Sequence, residues 1–108
     1  MATTKLREKQ IEARIVKRAR EHGGTAYKFT SPGRRAVPDR LLVVPCFMFG
    51  MQPFVEAKRP GEKPTPSQER EHKKIRAAGG TVFVVDTYEK IDTLFETLCT
   101  GHPKNRRS

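Results

Sequence analysis

Residues 40–45 read Arg-Leu-Leu-Val-Val-Pro, a strand's length of chain with almost no polar side chain. A strand with one wet face alternates apolar and polar residues, so an unbroken run calls for cover on both faces. That requirement places these residues at the centre of a sheet with helices packed over it. The chain supplies such helices. In residues 4–22, Leu6, Ile11, Ile15 and Ala19 recur at roughly helical spacing, with Lys, Arg and Glu between them. In residues 88–98, Ile91, Leu94, Phe95 and Leu98 form one stripe. With 108 residues, the whole fits one domain with a single modest core.

The remaining elements follow from punctuation. Gly23-Gly24 ends the first helix, and Thr25 to Thr30 alternates like a strand. Residues 31–38 form a basic loop rich in turn residues, and Pro53 to Lys58 forms a strand. Thr65-Pro66-Ser67-Gln68 reads as a helix start, with Thr65 as N-cap, Pro66 at the first helical position and Gln68 closing a capping box. That helix runs to about Ala78 and stops at Gly79-Gly80, and Thr81 to Asp86 reads as a buried strand. The order is α-β-β-β-α-β-α, with the last strand entering after a helical crossover that permits parallel pairing. Residues 1–99 form the domain, and residues 100–108, with Lys104, Arg106 and Arg107, a basic tail expected to be disordered. The connection at residues 46–51 is oddly apolar, with Phe47, Met48, Phe49 and Met51 in five positions. It is expected to meet a second copy in a homodimer; the alternative is that Phe47 and Phe49 fold back on their own sheet.

A formal charge of +10, from 22 Lys and Arg against 12 acids, favours a polyanionic partner, nucleic acid ahead of an anionic membrane. No signal-like apolar region and no bilayer-length segment is present. Cys46 and Cys99 lack CxxC spacing and are expected to be isolated, reduced thiols buried as small hydrophobes, as suits a reducing cytosol. His22, His72 and His102 make no zinc-ligand spacing with them, so a zinc site is not expected.

The chemistry concentrates in Pro38-Asp39 and Glu56-Ala57-Lys58. Strand alternation points Glu56 and Lys58 to the same side. If Asp39 stands at the mouth of the neighbouring strand, two carboxylates converge beside one ammonium. Carboxylates hold hard cations through oxygen, and the ammonium suits a scissile phosphate or an attacking water. The strings are short, and a salt-bridged strand is the plain alternative.

Taken together, the element order and five pieces of sequence resemble the stand-alone VRR-NUC nucleases of phages and bacteria, within the PD-(D/E)xK superfamily. The resemblance spans about Leu6 to Leu98. Its pieces are Ile11-Glu12; Lys28-Phe29 with Ser31-Pro32-Gly33-Arg34-Arg35; Val37-Pro38-Asp39-Arg40; Phe54-Val55-Glu56-Ala57-Lys58; and Pro66 to Gln68 followed by Ala78-Gly79-Gly80 and Val82 to Val85. Ala36 departs from the pattern, standing where the family often has glycine. The resemblance implies an α/β, restriction-endonuclease-like core with a central mixed sheet flanked by helices. It also implies a Mg²⁺- or Mn²⁺-dependent DNA endonuclease, selective for branched DNA such as four-way junctions. Such a protein would work in the cytoplasm of a bacterial or phage-infected cell, without membrane or small-molecule cofactor.

Residue by residue, Asp39 and Glu56 become metal ligands, with the Ala57 backbone carbonyl completing the shell. Lys58 orients water and offsets transition-state charge. Glu12, beside the apolar stripe, needs a partner. The resemblance turns it toward the metal, whereas the residues alone also allow a surface pair with Lys9. Gln68 is either the capping-box residue or, by resemblance, an active-site amide. Lys28, Arg34, Arg35 and Arg40 surround Asp39 as phosphate contacts, unless they are merely solvated charges. The alternative function is a nucleic-acid-binding module without cleavage. Its mark would be a missing acid or lysine, and none is missing.

Overall fold

The computed structural model describes residues 7–29 and 37–99. Within them the chain forms α1 (Glu8–Glu21), β1 (Thr25–Lys28), β2 (Arg40–Val43), a 3-10 turn (Met48–Gly50), β3 (Phe54–Ala57), α2 (Pro66–Ala77), β4 (Val82–Val85) and α3 (Tyr88–Cys99). The sheet runs β1-β2-β3-β4. The first two pairings are antiparallel, and β3 with β4 is parallel, as the intervening helix α2 permits. This is the expected mixed sheet in the expected order.

Pleating sorts the strand residues onto two faces. Ala26, Leu42, Val55, Ala57 and Val85 join Ile11, Ile15 and Ala19 of α1 and Ile91, Leu94, Phe95 and Leu98 of α3 in one core. Asp92 locks the two helices together, taking Arg14 at 3.0 Å and Arg18 at 3.0 Å. The other face carries α2, bound to β4 through the Arg76 guanidinium donating to the Val82 carbonyl at 2.8 Å. Because α2 lies toward β3 and β4, cover over β2 is incomplete. Leu42 is sealed, but Leu41 and Val43 are only half-buried, short of the two-sided burial expected of this run. β4 is likewise an edge strand with Phe83 and Val84 half-buried, not a fully buried one.

Both Gly-Gly pairs end helices in the same way. After α1, the Gly24 N–H donates to the Ala19 carbonyl and the Gly23 N–H to that of Arg20; after α2, Gly80 and Gly79 repeat this on Ile75 and Arg76. The first glycine of each pair adopts positive φ, 81° at Gly23 and 94° at Gly79. Gly24 has a second role. A side chain there would overlap the Val43 carbonyl oxygen and the Val44 backbone, so glycine lets α1 turn directly into β1 beside β2.

Two expectations are corrected here. Cys46 and Cys99 are not separate thiols; they are joined in a disulfide across 53 residues, with Cα atoms 4.9 Å apart. The β2–β3 connection carries Cys46 to the C-terminal turn of α3, a proximity no local spacing announces. The apolar connection also serves mainly its own core. Phe47 is buried against Phe95, with ring centroids 5.4 Å apart, and Met48 and Met51 pack on the same cluster. Phe49 alone stands out, 96% exposed and at φ 56°.

The glycine assignments generate a stability test. Gly24→Ala forces backbone apart and is expected to cost about 3 kcal/mol, in the range of overpacking. Gly79→Ala meets open space and only the left-handed penalty, about 1–2 kcal/mol. Urea denaturation should rank them in that order, and equal costs would remove the close-approach role of Gly24.

Candidate active site

Alternation along β3 sends Val55 and Ala57 into the α1–α3 core and turns Glu56 toward α2. Lys58 follows Glu56 by two positions and continues the ladder, its N–H donating to the Val85 carbonyl at 3.0 Å. Both side chains are nearly sealed, 2% and 5% exposed. Asp39 enters from just ahead of β2. Its backbone carbonyl accepts from Phe29 N–H at 2.9 Å, and its Oδ2 accepts from the Ala57 N–H at 3.0 Å. Asp39 is thus tied to both neighbouring strands, with its carboxylate against the strand that bears Glu56 and Lys58.

A buried carboxylate requires partners. Those of Glu56 come from α2, where Gln68 Nε2 lies 3.3 Å from Oε2 and His72 Nε2 lies 3.3 Å from Oε1. Burial first and the neighbouring Asp39 second push the Glu56 carboxyl up to about 8, against the opposing charge of Lys58. His72 is displaced downward, first by burial and then by Arg76, so at neutral pH its contact with Glu56 is a neutral hydrogen bond and not an ion pair.

Gln68 fills both of the roles that the sequence left open. Its Oε1 accepts from Thr65 N–H at 2.9 Å, and its N–H donates to Thr65 Oγ1 at 3.2 Å, closing the capping box. Its amide nitrogen remains free to reach Glu56. The cap therefore fixes the rotamer that serves the site.

Glu12 goes elsewhere. Its Oε2 receives Arg40 Nε at 2.7 Å and Lys28 Nζ at 3.0 Å. Burial would raise the Glu12 carboxyl, but these hydrogen bonds outweigh it and hold it below the ordinary value. Arg40 also donates to the Ala26 carbonyl at 3.1 Å. Strand alternation explains the separation: Arg40 faces α1, the side opposite Glu56. A half-buried charge-assisted pair contributes about 1.5–3 kcal/mol, against about 0–1 for an exposed one such as Lys28 makes. Arg40–Glu12 is thus a brace between α1 and β2. Arg34 and Arg35 lie outside the described residues.

Two participants were missed in the sequence. Glu8, one turn before Glu12, has its carboxyl raised first by burial and then by Asp39, with Lys58 pulling the other way. It is the acid of α1 that senses the Asp39–Lys58 cluster. His72 was dismissed with the other histidines, although Gln68 and His72 stand four apart on one helical face.

A divalent metal fits this donor set. Asp39 and Glu56 stand close enough that Asp39 helps keep a proton on Glu56, and hard carboxylate oxygens in that relation exchange a shared proton for a hard cation.

No family model matches the chain. Over 84 residues it is 52% identical to "Putative nuclease p44" of Acyrthosiphon pisum secondary endosymbiont phage 1, covering 78% of this chain and 87% of that protein. A solved structure described as a VRR_NUC domain is similar at TM-score 0.73 and 36% identity, over 82% of this chain and 94% of the other.

The raised Glu56 carboxyl sets a pH dependence. Its folded value, about 8, lies above the unfolded one, so the native state binds more protons between the two. The stabilisation is complete below the unfolded value of about 4.5 and lost as pH rises through about 8. Metal-free protein should therefore show a melting temperature that declines between about pH 5 and about pH 8 and levels off above that. Asp39→Asn should flatten that decline, and Mn²⁺ should remove most of it. Scanning calorimetry at fixed ionic strength checks this; an identical profile in Asp39→Asn would dissociate the two carboxyls.

Proposed function

We propose that this chain, which belongs to the VRR-NUC nucleases of the PD-(D/E)xK superfamily in the form carried by phages, hydrolyses DNA phosphodiesters with Mg²⁺ or Mn²⁺ at Asp39 and Glu56. The observation that carries the reading is the convergence of Asp39 and Glu56 beside the buried Lys58. Asp39, Glu56 and the Ala57 carbonyl would hold the ion, with Glu8 behind them. The bound ion supplies Lewis-acid polarisation of the phosphate and a water of lowered pKa.

The chain's own residues do the rest. The Ala57 N–H, the Gln68 amide and the His72 ring fix the two carboxyls before substrate arrives, so little reorganisation remains at the moment of reaction. Lys58, held in a nearly dry position, orients the attacking water and offsets charge that develops on phosphorus. The net charge of +10 supports attraction to the phosphate backbone. Lys28, Arg34 and Arg35 are the proposed contacts, while Arg40 serves them through its brace to Glu12. Selectivity for branched DNA, four-way junctions in particular, is the finer reading that the family resemblance supports. A binding module without cleavage is disfavoured because acids and lysine are all in place.

Incubation with linear, flapped and four-way-junction DNA, with and without Mn²⁺, tests the reading. Asp39→Ala, Glu56→Ala and Lys58→Ala should each lower cleavage about a hundredfold or more with the fold retained. EDTA should abolish cleavage, and Ca²⁺ should support binding with little turnover. Glu8→Gln should weaken Mn²⁺ binding more than Glu12→Gln does. Activity in excess EDTA, or near-normal activity in any of the three alanine variants, ends the mechanism.

Pairing of two such sites across a junction calls for a homodimer, and the remaining candidate contact is Phe49. Light scattering should give a dimer mass for the wild type at micromolar concentration and a monomer for Phe49→Glu. A monomeric wild type rejects the dimer; a persistent Phe49→Glu dimer rejects this contact.

A further inference from the structure

At the far end of α1 from Glu8, three residues from three elements converge. His22 closes α1, Cys46 follows β2, and Cys99 ends α3. One ring nitrogen and the two sulfurs all lie within 4.8 Å of one another, the one such grouping of three ligand side chains among the described residues. Phe95 organises it. The His22 ring stacks on Phe95 with centroids 5.1 Å apart, Phe47 beside Cys46 packs on the same ring, and Cys99 lies one helical turn further on. His22 Nδ1 sits 2.9 Å from the Arg18 carbonyl oxygen. That bond requires the hydrogen on Nδ1, leaving the lone pair on Nε2. Metal-binding histidines are commonly fixed this way, one nitrogen donating to a backbone carbonyl and the other facing the ion.

We propose that His22, Cys46 and Cys99 form a second metal site, for a soft or borderline cation of the Zn²⁺ type, alternating with the disulfide. In the oxidised chain the sulfurs are bonded to each other and offer no thiolate. A dithiol reductant delivers two electrons and two protons, cleaves the S–S bond to two thiols, and leaves as its own disulfide. Zn²⁺ then binds both sulfurs as thiolates, releasing those two protons, and takes the Nε2 lone pair of His22; water fills the fourth tetrahedral position. With Zn–S near 2.3 Å and Zn–N near 2.0 Å, the ligand atoms need separations of about 3.5–3.8 Å. The ligand atoms already lie within 4.8 Å of one another, close to that spacing.

The two sites sort their metals by donor chemistry. Thiolate and imidazole select Zn²⁺, and carboxylates select Mg²⁺ or Mn²⁺. They also stand apart: the fourteen steps from Glu8 to His22 rise about 21 Å along α1. The consequence is a clamp that works in either redox regime. α1, the β2–β3 connection and α3 are tied by a disulfide under oxidising conditions and by a metal under reducing ones.

Co²⁺ provides the probe, because tetrahedral thiolate–cobalt has its own charge-transfer and d–d absorption. Reduced full-length protein should bind one equivalent of Co²⁺ with that spectrum and lose it on adding Zn²⁺, and Zn²⁺ should raise its melting temperature. With excess Mg²⁺ present to occupy the carboxylate site, oxidised protein should show neither effect. Cys46→Ser should lose the charge-transfer band. His22→Ala, which keeps the disulfide and hence a folded oxidised form, should bind at least about tenfold more weakly once reduced, since losing an inner ligand costs no less than losing an outer partner. Asp39→Asn should bind like wild type, which separates this site from the carboxylate one. The proposal is overturned by a folded, reduced protein without the tetrahedral thiolate–cobalt spectrum. Wild-type affinity in His22→Ala, or a reduced chain that Zn²⁺ fails to stabilise, overturns it as well.

Discussion

The structure is arranged around one buried carboxylate. Glu56 sits in the middle of β3, where its pleat partners Val55 and Ala57 belong to the core, so its own side chain is carried out of water with them. Such a group survives only with partners on every side. α2 is there to supply two, and its N-cap sequence sets the helix start so that Gln68 and His72 fall on the inward face. Parallel pairing of β3 with β4 follows from α2 crossing that face. The placement of a helix, a strand and a buried acid thus share one cause. Replacing Glu56 by an apolar residue would satisfy the fold more simply, so the cost of keeping a carboxylate there points to use and not to stability.

The pleat also keeps two charge systems from mixing. Asp39 and Arg40 are adjacent in the chain and serve opposite faces. Arg40 meets Glu12 and the Ala26 carbonyl on the α1 side, while Asp39 meets the Ala57 N–H and the cluster around Glu56. Were Arg40 on the Glu56 side, its guanidinium would compete with a cation for the same oxygens. By holding Glu12, Arg40 also braces α1, which carries Glu8 one turn earlier.

What was legible in the sequence was whatever rests on local rules. Thr65-Pro66-Ser67-Gln68 states its cap, each Gly-Gly pair its helix end, and Glu56-Ala57-Lys58 its shared face, because capping, left-handed turns and strand alternation act within a few residues. The order of elements followed from these. The failures were of another kind. That Glu12 pairs with Arg40 and Lys28 depends on the rotation of α1 against the sheet, which packing decides. The Cys46–Cys99 bond spans 53 residues and depends on where α3 ends. The apolar connection was misread because nothing local says that Phe47 turns back onto Phe95. Cover over β2 was overestimated because the position of α2 answers to Glu56 and not to β2.

Charge gives the last link between fold and chemistry. In a chain with net charge +10, Asp39, Glu56 and Lys58 share one buried neighbourhood whose charges also reach Glu8. Fully ionised, these four groups would carry two negative charges more than positive, in a place with little water. Without a cation the site relieves that excess by keeping a proton on Glu56, which is the physical meaning of its raised value of about 8. One divalent ion would offset the same excess and free the proton. On the proposed function, the basic exterior would draw the phosphate backbone in, whereas the local excess of acid would repel it until a cation is bound. Attraction at long range with refusal at short range would then make productive docking conditional on the metal, so that a strongly basic chain could hold DNA widely and act only where its loaded site meets the backbone.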